Sequence, residues 1–431
     1  MRISMFTNTF LPHIGGVARS VSAFAEDLRA MGHQVLVVAP TFEGQPRNED
    51  ADQVLRVTAI QRFNGSDFSV HIPLPGVIDD RINDFQPEII HSHHPFLLGD
   101  AALRAARRRD LPVVFTHHTL YERYTHYVPF DSAVMKRFVI HLAVAYANLC
   151  HRVIAPSTSI KALLEGRGVT APVEVLPSGV DLDFFQAGRP EVFRRRMGIP
   201  AGQRIIGHVG RLAREKNLAF LAGAVSRFLA EREGFVFVVA GTGDSRDEII
   251  RICEARGVGH RLILPGVLRG QELADCYRAM DLFVFASHSE TQGLVLAEAM
   301  AAGVPVIALA ASGVGDVVED GKNGRILPAG SPEEAFASAM AAAFDSGAVR
   351  LWQPAALSAA RRFARPRCAA RLAALYETTL SGATSHRHET DLLDTVRRSL
   401  AAEWELLQEK AAAVRQSLQD APGPGPAQYR L

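Results

Sequence analysis

Two glutamates in and beyond one short polar loop carry the strongest chemical signal in the sequence. Glu290 stands in the loop after the apolar run 282–287, and Glu298 lies in the helix-like segment that follows. Free backbone N–H groups and the dipole at such a helix start favour an anion, and Gly293 lets a phosphate approach the backbone. We expect Glu290 to face a sugar and Glu298 to accept a hydrogen bond from a ribose hydroxyl. A surface acid plus a structural helix carboxylate is the alternative.

Two cations follow the first strand-like run of the second half of the chain. Arg211 and Lys216 leave the end of run 204–211, where a planar guanidinium and a compact ammonium together neutralise a diphosphate well. Solvated surface charges are the alternative. Gly241 lies in VAGTGD (239–244), again after a strand-like run, so that its backbone is expected close to a nucleotide; a plain turn explains it equally well.

The first half of the chain offers glycines and histidines instead. Gly15 and Gly16 form a candidate phosphate loop, but without the Gly-x-Gly-x-x-Gly spacing of dinucleotide-binding proteins. No acidic residue ends the second strand, which disfavours a nicotinamide oxidoreductase. Histidines cluster in HSHH (91–94) and THHTLYERYTHY (116–127). Because neither Cys nor an acidic cluster accompanies them, contacts to sugar hydroxyls are favoured over the alternative, a metal site.

These residues follow short β-branched runs that alternate with helix-like segments, which is typical of parallel sheets with helices on both faces. The predicted strands are 3–6, 34–40, 88–93, 113–118, 152–157 and 174–179 in a first set and 204–211, 235–241, 261–266, 282–287 and 305–310 in a second. Ligands of such sheets bind beyond the carboxyl ends of the strands. The fold class is therefore α/β, with two doubly wound Rossmann-like domains, 1–185 and 186–380, facing across a cleft.

The C-terminal part of the chain is predicted to be helical. Segment 351–380 is expected to have interruptions at Pro354 and Pro366, and its helices are candidates for packing back on the first domain. A helical tail is predicted over 386–420, followed by a disordered Pro- and Gly-rich end, 421–431. The apolar stripe at 391–418 and the slight acidic excess of the tail suit packing in cis or a homo-oligomer better than a membrane.

Composition excludes several classes of protein. Among 431 residues, 47 Lys and Arg balance 46 Asp and Glu, whereas nucleic-acid binders usually show a basic excess. The four cysteines are far apart, which argues against a zinc or disulfide scaffold and suits the cytoplasm. No signal sequence or membrane span is recognised. Basic segments 104–109 and 135–137 beside the apolar run 138–149 nevertheless predict contact with an anionic bilayer, with a buried core helix as the alternative.

Seven segments together resemble the retaining glycosyltransferases of family 4, which have the GT-B fold. The segments occur in the family's order: GGVARSV (15–21), FTHHT (115–119), VLPSGVD (175–181), GRLAREKN (210–217), VAGTGD (239–244), ETQGLVLAEAMAAGVPV (290–306) and EDGKNGRIL (319–327). The resemblance implies that Glu290 contacts the donor sugar and Glu298 the nucleotide ribose. It implies likewise that Arg211 and Lys216 bind the donor diphosphate.

The resemblance also assigns residues of the first half. It places Gly16 near the phosphate and the acceptor, and His118 close to the transferred sugar, so that His118, Glu290, Arg211 and Lys216 are the candidate catalytic residues. His117 departs from the aromatic residue that many members have. No cofactor or metal is expected, since the cations and helix N–H groups replace it. Retention without an enzyme nucleophile implies front-face attack.

A narrower resemblance joins HTLYERYTHYV (118–128) and ETQGL (290–294). These segments are similar to those of bacterial diacylglycerol glucosyltransferases, monotopic membrane enzymes that use UDP-glucose. This similarity implies glucose transfer to a lipid on the inner face of the cytoplasmic membrane. The candidate acceptor-binding residues are Gly15, His118, Tyr121, Tyr124 and His126. The alternatives are another lipid or a soluble sugar acceptor, a hydrolase or epimerase on the same fold, and a non-enzymatic protein that binds nucleotide sugars.

Overall fold

The computed structural model describes residues 1–13, 15–43, 45, 52–60, 70–71, 76–123, 132–288, 290–383, 408–410 and 412. The chain divides into two compact units. The first comprises Met1–Pro156, Lys161–Leu176 and Ala369–Leu431, and the second Ser157–Ile160 and Pro177–Cys368. The domain boundary predicted at 185/186 therefore falls within the second unit, and the chain changes unit several times rather than once.

The first unit is built on a seven-stranded parallel sheet with the order β3-β2-β1-β6-β7-β8-β9. Its strands are β1 (Arg2–Phe6), β2 (Gln34–Pro40), β3 (Val54–Val57), β6 (Ile89–Ser92), β7 (Val113–Thr116), β8 (Arg152–Ala155) and β9 (Val173–Val175), and a separate antiparallel pair consists of β4 (Ala59–Ile60) and β5 (Val70–His71). The helices between them are α1 (Gly16–Ala30), α2 (Val77–Phe85), α3 (Leu98–Arg109), α4 (Ala133–Asn148) and α5 (Thr158–Gly166). Every pairing in the large sheet is parallel, as the alternating pattern predicted.

The second unit has a six-stranded parallel sheet with the order β12-β11-β10-β13-β14-β15. Its strands are β10 (Arg204–Val209), β11 (Phe235–Ala240), β12 (Leu262–Gly266), β13 (Leu282–Phe285), β14 (Val306–Leu309) and β15 (Gly324–Leu327). Its helices are α6 (Leu182–Gln186), α7 (Pro190–Met197), α8 (Leu218–Glu231), α9 (Arg246–Ala255), α10 (Gln271–Ala279), α11 (Leu294–Ala301), α12 (Val314–Val317), α13 (Glu333–Asp345) and α14 (Ala348–Ala360). The strand pairings are again parallel.

Both faces of the second sheet are covered. Successive residues of a strand point to opposite faces, and Ile205 and Ile206 of β10 accordingly enter two different hydrophobic clusters. All six residues of β11 are buried, which is why this strand reads as a continuous apolar run rather than an alternating one. Two edge strands, β3 and β15, were not predicted, because their short sequences contain an arginine each and lack a long β-branched run.

Two prolines, Pro354 and Pro366, were predicted to interrupt the helical segment 351–380, and both lie within helices of the structure. Pro354 lies inside α14, which continues through it, so the expected interruption there is wrong. Burial of Ala356 and Ala360 against the core favours the unbroken helix. The break comes instead at a 3₁₀ turn, Arg361–Phe363. Pro366 is the second residue of α15 (Arg365–Ala383), where a missing N–H costs no helical hydrogen bond.

Two predicted features concern membranes and the tail. Across the described ranges, no helix is long and apolar enough to cross a bilayer. The apolar run 138–149 falls mostly in α4, where Tyr146 and Ala147 are buried and Phe138 to Ile140 are half-buried.

The helical tail predicted over 386–420 lies almost wholly outside the described residues, as does 421–431. Of the tail's described residues, Lys410 donates to Oδ2 of Asp100 at 2.6 Å.

Candidate active site

The strand order of the second sheet creates one point where ligands are expected. β10 and β13 are neighbours, and the chain continues outward from them in opposite directions, to β11 and β12 on one side and β14 and β15 on the other. Loops that leave the carboxyl ends at such a switch point diverge and leave a crevice. The loop after β10 carries Arg211 and Lys216, and the loop after β13 carries Glu290.

The structure brings the predicted donor residues of these two loops together. Nζ of Lys216 lies 3.1 Å from Oε2 of Glu290, and the two side chains are only 18% and 16% exposed. The other oxygen of Glu290 accepts from the backbone N–H of Gly293 at 3.4 Å. Arg211 pairs with Glu215, whose side chain is 9% exposed whereas that of Arg211 is 43% exposed. The guanidinium thus stays accessible while its carboxylate partner is held inside.

Backbone contacts fix the two loops to each other. The carbonyl oxygen of Glu215 accepts from the N–H of His288 at 3.0 Å and from Oγ of Ser287 at 3.4 Å. The 3₁₀ turn Arg214–Lys216 and the end of β13 therefore form one connected structure. These bonds hold the backbone beside Lys216 close to the loop that carries Glu290.

Gln292 anchors the Glu290 loop from the other side, a role that the sequence did not predict. Its amide exchanges two hydrogen bonds with the backbone of Ser178: Oε1 accepts from N–H at 2.8 Å, and Nε2 donates to the carbonyl at 2.9 Å. Oγ of Ser157 donates to the carbonyl of Thr291 at 2.6 Å. Gln292 is 5% exposed. The sequence feature that could have identified this role is the position of Gln292 in the same polar loop, between Thr291 and Gly293.

Helix α11 begins at Leu294, directly after the loop that carries Glu290. Gly293 is its N-cap, with φ of 78°, a left-handed conformation that favours glycine. The N–H groups of the first turn follow directly after the loop. Glu298 lies farther along the same helix, is 1% exposed, and accepts from the hydroxyl of Tyr277 at 2.7 Å.

Gly241 permits close contact between two loops at this edge. Its φ is 140°, and a Cβ there would lie 1.8 Å from the carbonyl oxygen of Gly210. The N–H of Gly241 donates to Gly266 at 2.8 Å, and the N–H of Gly210 donates to Ala240 at 3.0 Å. The backbones that follow β10, β11 and β12 are therefore in direct contact, which only a glycine allows.

His208 is a second residue of this edge that the sequence analysis did not single out. It lies in β10, is 1% exposed, and its Nδ1 lies 3.0 Å from the carbonyl oxygen of Val284, so Nδ1 carries the proton. Nε2 is buried and has no hydrogen-bond partner in the described part of the chain. Burial lowers the pKa of His208 to about 4, and the charges of Lys216 and Glu290 act on it in opposite directions. The sequence feature that could have identified His208 is a histidine within a largely apolar strand.

The first unit gathers its predicted residues at the carboxyl edge of its own switch point, between β1 and β6. Gly15 is the N-cap of α1 and Gly16 its first residue, and the carbonyl of Gly15 accepts from Arg19 at 3.1 Å. Nearby on the chain, Oδ1 of Asn8 accepts from the N–H of Leu98 at 3.0 Å. This bond links the loop after β1 to the start of α3.

Three histidines of the first unit, His91, His93 and His118, form one connected group. Nδ1 of His93 lies 2.9 Å from Nε2 of His118. His91 contacts the hydroxyl of Tyr376 at 2.6 Å and Oγ1 of Thr116 at 2.7 Å. Burial lowers the pKa of His91 to about 3 and places that of His118 well below its ordinary value. These rings are therefore neutral at physiological pH.

The other predicted residues of this region have different environments. His117 is 1% exposed, and its ring stands perpendicular to those of Phe115 and Tyr121. Tyr121 is buried, with its ring 5.1 Å from that of Phe96. The remaining acceptor candidates, Tyr124 and His126, lie outside the described residues.

The arrangement of possible metal ligands and of the cysteines completes the description of the side chains. Within the ranges the structure describes, no three His, Cys, Asp or Glu side chains are grouped so that they could hold a metal ion. All four cysteines, Cys150, Cys253, Cys276 and Cys368, are buried and free.

Comparisons with known proteins agree with this architecture. The model "Glycosyltransferase Family 4" matches residues 14–184, and "Glycosyl transferases group 1" matches 190–351. An alpha-monoglucosyldiacylglycerol synthase of Streptococcus pneumoniae is 31% identical over 72% of this chain and 71% of its own. A GDP-mannose-dependent alpha-mannosyltransferase of Mycobacterium tuberculosis is 33% identical over 79% and 87%. The solved Anabaena protein Alr3699/HepE, in complex with UDP, superposes with a TM-score of 0.71 at 20% identity, covering 88% of this chain and all of that one.

Two parallel-sheet units with polar loops at their switch points define the class of GT-B glycosyltransferases, as predicted. The chain belongs to glycosyltransferase family 4. The protein is accordingly an enzyme, and the alternative of a non-enzymatic nucleotide-sugar-binding protein is set aside. The family resemblance stated from the seven sequence segments is confirmed.

Proposed function

We propose that this enzyme transfers glucose from UDP-glucose to a lipid acceptor such as diacylglycerol, with retention at the anomeric carbon. The observation that carries the proposal is the Lys216–Glu290 pair at the switch point of the second sheet, with Arg211 on the same loop. Two cations suit the diphosphate, and a carboxylate beside them suits the hydroxyls of the attached sugar.

The reaction needs a stabilised leaving group. The bond between the anomeric carbon and the diphosphate oxygen breaks as the bond to the acceptor oxygen forms on the same face of the sugar. The acceptor's proton passes to the departing phosphate oxygen, which leaves as part of the nucleoside diphosphate. Arg211, Lys216 and the N–H groups at the start of α11 would stabilise the charge that develops there. Because these groups are cationic or donors, we propose that no metal ion is needed.

The identity of the sugar and the acceptor rests on similarity. The segments 118–128 and 290–294 resemble diacylglycerol glucosyltransferases, and alpha-monoglucosyldiacylglycerol synthases are among the relatives. The GDP-mannose-dependent mannosyltransferases among the relatives support a second candidate, mannose transfer from GDP-mannose. A soluble acceptor is the remaining alternative, because D-inositol 3-phosphate glycosyltransferases are also similar.

A crossed panel of donors and acceptors tests the proposal. Radiolabelled UDP-glucose, UDP-galactose and GDP-mannose are each incubated with diacylglycerol vesicles, total polar lipid and water-soluble sugars, with and without EDTA. Label from UDP-glucose in a diacylglycerol product, insensitive to EDTA, is expected, and the anomeric proton coupling of the product reports retention. Transfer only from GDP-mannose, or only to a soluble acceptor, would replace the proposal by one of its alternatives.

Membrane contact is proposed for the first unit. In α4, Lys136 and Arg137 directly precede the half-buried Phe138 to Ile140, whereas Arg108 and Arg109 at the end of α3 both pair with Asp79. Cationic groups beside apolar surface favour an anionic bilayer, by about 1 kcal/mol per Lys or Arg near the surface. Flotation with vesicles of rising anionic lipid content tests this, and equal flotation at all contents would exclude it.

Truncation after Leu380, followed by light scattering, tests whether the tail serves self-association.

A further inference from the structure

His93 is a fully buried histidine of the HSHH segment (91–94), to which neither the sequence analysis nor the family resemblance gave an individual role. It follows β6, is 0% exposed, and its ring stacks on that of His118 with centroids 5.2 Å apart and planes 25° apart. The centroid of the His91 ring lies 4.0 Å from that of His93. The only hydrogen bond that the His93 side chain makes within the described ranges joins its Nδ1 to Nε2 of His118 at 2.9 Å.

A bond between two ring nitrogens requires one N–H and one lone pair. Both rings are neutral, because burial places the pKa of His93 and that of His118 well below the ordinary value. Each ring therefore carries one proton, on one of its two nitrogens. Two arrangements satisfy the contact: either His93 donates from Nδ1, or His118 donates from Nε2.

The second nitrogen of His93 distinguishes the two arrangements. Nε2 is buried and has no partner in the part of the chain that the structure describes. If His118 donated, this nitrogen would carry an unbonded buried N–H, which is rarer in proteins than an unbonded acceptor. If His93 donates, Nε2 holds only a lone pair. The second case leaves less polarity unsatisfied and is the one we assign.

We propose that His93 is a positioning residue that donates from Nδ1 to Nε2 of His118 and thereby holds His118 as its Nδ1–H tautomer. This inference rests on the proposed function, in which His118 lies close to the transferred sugar. Its consequence is chemical: Nδ1 of His118 is a hydrogen-bond donor, so that any substrate atom in contact with it must be an acceptor, such as an oxygen of a sugar hydroxyl or a phosphate. In this tautomer Nε2 is occupied by His93 and cannot take the acceptor's proton as a general base.

The tautomer is measured directly by NMR of protein labelled with ¹⁵N-histidine. His118 is expected to be protonated at Nδ1 and unprotonated at Nε2 between pH 6 and 8. His93→Asn keeps an N–H near the position of Nδ1 and should preserve that pattern, whereas His93→Ala should shift the His118 proton toward Nε2 or mix the two forms. Protonation of His118 at Nε2 in the wild type, or a pattern indifferent to His93→Ala, would overturn the inference whether or not the donor has been identified.

Kinetics provide the second measurement. His93→Ala is expected to lower kcat about tenfold, the effect of one lost hydrogen bond. The change in KM for the donor should be smaller. His93→Asn should restore most of the lost kcat. In a His118→Ala background, His93→Ala should have no further effect on kcat. His151→Asn is the control and should keep the wild-type kcat, since His151 lies in the same unit outside the predicted site and its Nδ1 accepts from the N–H of Val113 at 3.1 Å. Equal losses in the Asn and Ala variants, with unchanged melting temperature, would contradict the positioning role. An enzyme inactive with every donor would refute the proposed function while leaving the NMR result decisive.

Discussion

The ammonium of Lys216 lies 3.1 Å from a carboxylate oxygen of Glu290, across the switch point between β10 and β13. A residue expected at the diphosphate and a residue expected at the sugar therefore contact each other directly. The pair is mostly shielded from water, so that solvent screens its attraction less than that of an exposed ion pair.

Removal of either cation should weaken donor use. Lys216→Ala and Arg211→Ala are each expected to lower kcat/KM for the donor by about ten- to hundredfold, since a charge-assisted contact contributes about 1.5–3 kcal/mol. Steady-state kinetics with varied donor measure this. Lys322→Ala, which removes an exposed lysine of the same unit, is the control. Kinetics close to wild type in both variants would show that the diphosphate binds elsewhere.

Neutralisation of Glu290 should separate nucleotide binding from transfer. Glu290→Gln removes the charge that holds Lys216, so binding of the nucleoside diphosphate alone should be unchanged or tighter. Transfer should fall, because the amide is a poorer acceptor for sugar hydroxyls than the carboxylate. Calorimetric titration with UDP and GDP, beside turnover measurements, tests both parts. Weaker diphosphate binding together with normal turnover would reverse the assigned roles.

A methyl group at position 241 should separate the loops after β10 and β11. A Cβ there would lie 1.8 Å from the carbonyl oxygen of Gly210, and φ of 140° is strained for any other residue. Gly241→Ala is therefore expected to raise KM for the donor and lower the melting temperature. Gly202→Ala, where a Cβ meets nothing within 4 Å, is the matched control. Comparable behaviour of the two variants would mean that this backbone contact is dispensable.

The amide of Gln292 should be irreplaceable by a carboxylate of the same shape. Gln292→Glu turns the donor that bonds the carbonyl of Ser178 into an acceptor, leaving two oxygens opposed in a buried place. A cost of roughly 1–3 kcal/mol is expected, or about 2–10 °C in the melting temperature of a unit of this size. Differential scanning calorimetry measures it, with Gln203→Glu as control. An unaltered melting temperature would show that the Glu290 loop does not depend on this anchor.

Acid sensitivity should come from the neutral histidines of the first unit. Burial lowers the pKa of His117 to about 4, so the unfolded chain binds a proton below pH 6.5 that the folded chain does not. The free energy of unfolding is then highest above pH 6.5 and falls as the pH drops toward 4, by about 1.4 kcal/mol per pH unit for each such group.

His117→Phe should reduce that fall. Both ring nitrogens of His117 are buried without a partner in the described part of the chain, and the aromatic ring of phenylalanine fits between Phe115 and Tyr121. The variant is expected to be more stable at pH 7 and to lose less stability at pH 5. Denaturant titrations at both values decide, with the exposed His260→Gln as control. If the free energy of unfolding of the variant falls with pH as steeply as that of the wild type, His117 does not contribute to the acid sensitivity.

Much of the architecture could be predicted from the sequence because it depends on local pattern. The buried β-branched runs of β2 and β11 can be recognised as strands from their residue types. The polar residues that follow such strands lie at the carboxyl edge of the sheet because of the parallel topology. Contacts between distant side chains carry no such local signal. The pairing of Gln292 with Ser178 and that of His93 with His118 depend on which loops the fold brings together, and Pro354 remains helical because of tertiary burial.

The segments that hold the Glu290 loop come from where the chain changes unit. Ser157 bonds Thr291, Ser159 bonds Gly313, and Ser178 bonds Gln292, yet Ser157–Ile160 is bracketed by residues of the first unit. The second unit is thus not a single stretch of sequence. A hybrid of two relatives joined at 185/186 would set one parent's serines against the other parent's loop. Engineers who wish to exchange sugar specificity should therefore transplant 157–160 and 177–185 together with the rest of that unit.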